Sequence, residues 1–396
     1  MAFDFTLTQR VEDWRGAIAA FVRDVVIPRE QDAFARGVDD ELRRELQHAA
    51  REAGIWAPQA AADLGGGGFR FDEAAVLLEE AGTSLLGPLA LNCAAPDEGN
   101  IHLLSVVATE RQRGTYLEPL VRGDIRSCFA MTEPPPGAGS DPAALTTVAT
   151  RVPGGWLVTG SKHLISGADG AAFAIVMARN AGSDGATMFL VGADNPGFHI
   201  TGHARMIDST MVGGHCAVTL DEVFVSDDAV LGEPGAGFRY AQVRLAPARM
   251  THCMRWLGAA RRSHEIAVAR SVRRELFGAP LADQGMAQQL IADNEIDLAA
   301  ARALLWQTCW QLATGDRGSE SSSRAKVFIS EAACRVVDRS VQLCGGLGTS
   351  EDLVVGRIYA DIRAFRIYDG ASEVHRMSIA KRVARRARAA AAAHPG

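Results

Sequence analysis

The hydrophobic period of the chain changes twice, and this constrains the fold more than any other feature. Residues 1–125 carry apolar side chains at helical spacing. From about 126 to 235 the pattern becomes short alternating runs, and from 236 onward the helical spacing returns. In DDELRRELQHAAREAG, Leu42, Leu46, Ala49 and Ala53 fall on one face and Gly54 suits the stop. A second helix is expected through FDEAAVLLEEAG. Between the two lies DLGGGG (Asp63–Gly68), read as a flexible turn, because no strand precedes the glycines as a nucleotide fingerprint requires.

In the middle block TTVATRV and WLVTGSKHLIS flank Pro153-Gly154-Gly155, which predicts two strands and a turn. FAIVMAR, ATMFLVGA and CAVTLDEVFV add further strands without the intervening helices of a parallel sheet, so an antiparallel sheet or barrel is expected. After Gly232–Gly237 helices resume, with Pro247 marking a helix start. A long helix follows Ser321–Ser323, with Ile329, Ala333, Val336, Val337 and Val341 on one side, and stops at Gly345-Gly346. The reading is an α+β chain: an N-terminal helical domain (1–125), a middle antiparallel β-sheet or barrel domain (126–235) and a C-terminal helical bundle (236–396).

A net charge of −6 argues against wholesale nucleic-acid binding, although five basic residues between Lys381 and Arg388 leave contact through the tail open beside the plainer reading of a solvated face. The seven cysteines are odd in number and form no C-x-x-C pair, which points to reduced thiols in a cytosol and no metal site. MAFDFTLTQRVEDW has neither a basic n-region nor an apolar h-region, and no run approaches the roughly 18 apolar residues of a membrane span. A soluble cytoplasmic protein is expected.

Five stretches carry candidate chemistry. FAMTEPPPGAGSD (Phe129–Asp141) is a shaped loop offering the Thr132 and Ser140 hydroxyls among backbone amides. GSKHLISG ends a strand with Ser166 beside apolar positions, and RRELFG (Arg273–Gly278) pairs a cation with an aromatic. QLCGGLGTSED (Gln342–Asp352) has glycine amides that can approach a pyrophosphate. FRIYDGASEVHR (Phe365–Arg376) sets Asp369 between an apolar run and a helix start. Apolar surroundings raise a carboxyl pKa there and helix amides lower it. Alone, Asp-Gly in that place is first a turn and N-cap, and only second a general base.

Together these stretches resemble the acyl-CoA dehydrogenase family over nearly the whole chain. MTEP with GAGSD looks like one family signature. QLCGGLG with Asp352, Arg357 and Asp361 looks like another, and RIYDG stands where the family has I-Y-E-G. LNCAAPDEGN, APARMTHCMR and DGASEVH resemble the branch with mammalian members ten and eleven, where the base position also reads Asp-Gly. The resemblance implies FAD-dependent α,β-dehydrogenation of an acyl-CoA in fatty-acid β-oxidation, with Asp369 as base and flavin N5 as hydride acceptor. Electrons would pass to an electron-transfer flavoprotein, and the chain would form a homotetramer or dimer.

It further implies flavin contacts from Phe129, Met131, Thr132, Gly139, Ser140, Leu164, Ile165 and Ser166. Arg274, Phe277, Gln342, Gly345 and Gly346 would serve the pyrophosphate and adenosine side, while Ala371, Ser372 and Glu373 follow the base onto the flavin. Ser140, Arg249 and Gly370 would meet the acyl-CoA. The sequence departs from the family in four places. Pro135-Pro136 lengthen the first loop, Leu164 replaces a stacking tryptophan, Ala371 replaces a threonine, and Asp369 is shorter than glutamate by about 1.5 Å. Ala248 removes the alternative glutamate base of some members. An oxidase or flavin monooxygenase, and a DNA-binding flavoprotein, are the competing readings on the same fold.

Overall fold

The computed structural model describes residues 6–208, 210–316 and 318–393, in two compact units, Met1–Ala248 and Arg249–Gly396. In the first unit, helices Gln9–Phe21, Asp40–Glu52, Phe71–Ala81 and Asp97–Val107 precede a sheet. Asp39 caps Asp40–Glu52 by accepting from the Leu42 amide. The buried face of that helix is Arg43, Leu46, Gln47 and Ala50, so of the four residues expected to face inward only Leu46 is fully buried. Polar groups displace the expected apolar ones because they are satisfied: Arg43 donates to Gln47 and to the Gly123 carbonyl. The glycine turn is packed rather than flexible, since a Cβ on Gly66 would lie 2.4 Å from the Ala60 carbonyl oxygen.

The sheet has eight strands: β1 (Ser127–Ala130), β2 (Val148–Val152), β3 (Gly155–Ser166), β4 (Phe173–Asn180), β5 (Ala186–Gly192), β6 (Phe198–His203), β7 (His215–Ser226) and β8 (Val230–Leu231). Their order is β6-β7-β3-β2-β4-β5-β8, with β1 beside β4. The β2–β3 hairpin stands where the sequence predicts it. Most pairings are antiparallel as expected, but β1–β4 and β2–β4 are parallel, because whole strands intervene in those connections. β4 and β5 are buried on both faces and read as continuous apolar runs, whereas much of β7 alternates. Cys128, Ala149, Val158, Ile165, Val176, Phe189, Cys216, Val218 and Leu220 form the core against this sheet. Arg126, just before β1, donates to both oxygens of Asp40 and to the Gly167 carbonyl, fixing where β1 enters the sheet.

The helix Gly237–Ser271 runs from one unit into the other and contains Pro247. The expectation of a helix start at Pro247 is therefore wrong. One missing amide costs about 3 kcal/mol, which a helix of 35 residues flanked there by buried Ala246, Ala248 and Met250 absorbs. In the second unit, helices Gly285–Ala313, Ser321–Cys344, Val354–Arg363 and Ser372–Ala393 form a bundle. The serines 321–323 are the first turn of their helix rather than its prelude, and Ile329, Ala333, Val336 and Val337 are buried along it. Among the described residues no helix is long and apolar enough to cross a membrane, and none of the seven cysteines forms a disulfide.

Candidate active site

In the first unit, β1 leads into the loop that carries the first signature. A buried ion pair pins it. Lys162 on β3 donates to Glu133 Oε1 at 2.8 Å and to the carbonyls of Met131 and Met177, and both charged side chains are fully enclosed. Glu133 also accepts from the Thr146 amide and hydroxyl, both at 2.6 Å, and from the Thr147 amide at 2.9 Å. Burial alone pushes its carboxyl up, but the Lys162 charge and these hydrogen bonds outweigh it and hold the pKa down to about 2. Burial brings Lys162 down to about 8 despite Glu133. These bonds fix the loop from beneath.

On that loop Thr132 contributes its carbonyl to the His163 amide, while Gly139 and Ser140 are exposed. Phe129 lies under the Arg244 guanidinium, 4.3 Å from the ring centroid. Leu164 adopts φ +57 beside a register shift in β3 and is 39% exposed. Ile165 points into the sheet core, leaving only its backbone for a ligand. Ser166 is opposite His215 in the register, with Oγ 2.9 Å from Nδ1, and His215 Nε2 is 2.9 Å from Asp208 Oδ2. Sequence reasoning found Ser166 and missed both partners.

In the second unit the chain turns at Asp369 (φ +53) and Gly370 (φ +97) before the helix Ser372–Ala393. Aspartate is among the few non-glycine residues that visit the left-handed region readily, and a Cβ on Gly370 would meet His375 Nε2 at 2.6 Å. Three donors hold the turn. Arg249 Nε and His375 Nε2 reach the Asp369 carbonyl at 3.0 and 3.1 Å, and Lys326 Nζ reaches the Gly370 carbonyl at 2.7 Å. A carbonyl only accepts, so His375 carries its proton on Nε2. Burial, reinforced by Arg249, lowers its pKa to about 4, and burial brings Lys326 down to about 8.

The carboxylate itself is treated differently from this backbone. His252 Nε2 approaches Asp369 Oδ2 at 3.4 Å, within ion-pair range but without hydrogen-bond alignment, and Oδ2 is buried with no hydrogen bond among the described residues. Arg255 lies 3.0 Å from His252 Nδ1. Because a guanidinium only donates, Nδ1 is the acceptor and the neutral ring turns its Nε2–H toward Asp369. The rings of Tyr368 and Phe365 pack on His252, and Trp256 donates to the Tyr368 hydroxyl. His252 was missed in the sequence, yet Arg249, His252 and Arg255 recur at intervals of three, one face of one helix.

Of the other expected contacts in this unit, Ser372 is buried at the helix start, Ala371 is half-buried and Glu373 is exposed. Arg274, Gln342, Gly345 and Gly346 are exposed, and Phe277 is 94% exposed. A Cβ at Gly345 or Gly346 would meet nothing within 4 Å, so their backbone faces open space. Within this unit these positions suit the anionic part of a ligand: Phe277 offers bare apolar surface, Arg274 offers a cation, and the glycines leave amides a phosphate can approach.

Comparison with known proteins supplies the family. The acyl-CoA dehydrogenase N-terminal, middle and C-terminal domains match residues 8–124, 128–223 and 235–384. FadE2 of Mycobacterium tuberculosis, named "Probable acyl-CoA dehydrogenase FadE2", is 36% identical over 96% of each chain. Acyl-CoA dehydrogenase family member 11 of Gallus gallus is 32% identical over 92% of this chain, which spans 49% of that relative's length. The solved glutaryl-CoA dehydrogenase of Mycobacterium smegmatis, in complex with FADH2, has a TM-score of 0.84 at 25% identity, covering 95% of both chains. With all three domains matched in order along one helix–sheet–helix chain, the protein belongs to the acyl-CoA dehydrogenase family.

Proposed function

We propose that this chain is an FAD-dependent acyl-CoA dehydrogenase in which Asp369 removes the α-proton of an acyl-CoA thioester. One observation carries the assignment: Asp369 Oδ2 is buried with no hydrogen bond among the described residues, on a turn held by Arg249, His375 and Lys326. A buried oxygen without a hydrogen-bond donor has its accepting lone pairs left for a substrate proton. Its neighbours Tyr368, Phe365 and Trp256 give an apolar wall that suits a flat acyl chain and excludes water. Bound FAD supplies the hydride acceptor for the β-carbon. Leu164, Ser166 and the Phe129–Ser140 loop would hold its ring, and Arg274, Phe277, Gln342, Gly345 and Gly346 its pyrophosphate and adenosine. Because those last residues are exposed, a second copy of the chain is the expected setting for them. An electron-transfer flavoprotein is the proposed acceptor, and the cytoplasm the proposed compartment.

Asp369→Asn tests the base. Asparagine keeps the shape and tolerates φ +53, so the turn should stand. The variant is expected to bind FAD normally while the rate of flavin bleaching by acyl-CoA falls by about 10²–10⁴-fold. Bleaching at the native rate would overturn the assignment.

A further inference from the structure

Ser166 closes β3 and faces His215 on β7, which in turn faces Asp208 in the segment before β7. The side chains of His215 and Asp208 are only 14% and 19% exposed, and the second carboxylate oxygen, Oδ1, has no hydrogen bond among the described residues. The pull of this carboxylate is therefore directed at one ring. In the neutral tautomer that turns Nε2–H to the Asp208 carboxylate, His215 presents Nδ1 as a lone pair. In that tautomer Ser166 gives its single hydroxyl proton to Nδ1. What Ser166 has left for any ligand is oxygen lone pairs: the relay turns a hydroxyl that could donate or accept into an acceptor.

We propose that Asp208 and His215 act as positioning residues that hold Ser166 as an acceptor and thereby bias bound FAD toward its reduced form. The inference rests on the reading above that the flavin ring lies against the end of β3. An oxidised flavin presents bare ring nitrogens, which repel an acceptor, and a reduced flavin presents N–H, which an acceptor satisfies. An unconstrained serine would serve both forms by rotating its hydroxyl. A serine committed to His215 serves only one.

The test is a reductive titration of the holoprotein with a dye of known potential and no acyl-CoA present, so that the readout is the flavin couple and not turnover. His215→Phe frees the Ser166 hydroxyl to donate outward. The ratio of reduced to oxidised flavin at a fixed potential is expected to fall about tenfold, which is about 30 mV more negative for a two-electron couple. His215→Asn, whose amide oxygen can stand in for Nδ1, is expected to keep the ratio within about threefold of the native value. An unchanged ratio in fully loaded His215→Phe overturns the proposal, and so does an equal shift in His215→Asn, which would mark a merely structural role. If His215→Phe fails to hold FAD, Ser166→Ala decides, and an unchanged ratio there also overturns it. A native chain that takes up no FAD would instead sink the cofactor reading itself, an outcome visible in the absorption spectrum before any titration.

Discussion

Glu133 in the first unit accepts hydrogen bonds from Thr146 and Thr147 and is paired with Lys162; Asp369 in the second has one imidazole at 3.4 Å and an oxygen without a hydrogen bond. Both carboxylates are largely buried, and both sit in motifs of the family pattern. The difference lies in how much accepting capacity each has left. Glu133 has none to offer a substrate, because its donors are all built in, and its pKa is held down to about 2. It serves as a clamp. At Asp369 the donors are spent on the carbonyls of the turn instead, which fixes the backbone and leaves Oδ2 without a hydrogen bond among the described residues, as the proposed base requires. Position in a signature does not separate a structural acid from a reactive one; satisfaction does.

Lys162→Met breaks the comparison most forcibly. Removing the cation strands a buried carboxylate and frees the carbonyls of Met131 and Met177. A loss of about 3–5 kcal/mol is expected, read as a lower urea midpoint at unchanged slope. Lys162→Met combined with Glu133→Leu should recover part of that loss, because no charge is then left unpaired. If the single variant is as stable as the native chain, Glu133 is not a clamp and the contrast with Asp369 fails.

The sequence shows one side of each carboxylate and hides the other. MTEP and RIYDG locate both acids, and the period change places helices and strands along the chain. The partners are another matter. Lys162 lies 29 residues from Glu133, and His215 lies 49 from Ser166. Their meeting depends on a strand register interrupted by shifts between Val158 and Gly160 and between Lys162 and Ile165. Alternation alone does not encode such shifts, and each one changes which face a side chain takes. His252 was the legible exception, since helical spacing from Arg249 is local. Pro247 failed for the opposite reason: a local breaker was overruled by the packing of a long helix.

Acid sharpens the same contrast. In the folded chain Glu133 has its pKa lowered from 4.5 to about 2, so it binds fewer protons than it does unfolded. Its contribution to stability is whole above about pH 4.5 and is lost as pH falls through the window to about 2. Glu133→Gln should therefore flatten the dependence of unfolding free energy on pH across that window, leaving only the part due to other acids such as Asp40, which Arg126 and Arg43 hold down to about 2 against the effect of burial. A slope between pH 4.5 and 2 equal to that of the native chain would show that Glu133 is not held in its charged form.

The smallest effect is expected at His252, and it bears on the shortness of aspartate. Its Nε2 lies 3.4 Å from Oδ2, and Arg255 keeps hydrogen on Nε2 by occupying Nδ1. A contact of 3.4 Å without alignment is too weak to satisfy the oxygen, yet it opposes rotation of the carboxylate away from the apolar wall of Tyr368 and Phe365. His252→Leu removes the restraint and is expected to slow removal of the α-proton by about 10–100-fold, as a misplacement on the order of 1 Å does. Exchange of acyl-CoA α-protons with deuterium oxide measures that step apart from flavin reduction. His252→Gln, whose amide nitrogen can stand near Nε2, should exchange within about threefold of the native rate. Native exchange in His252→Leu would mean that the backbone clamp alone aims Asp369, and that the open oxygen needs no neighbour to guide it.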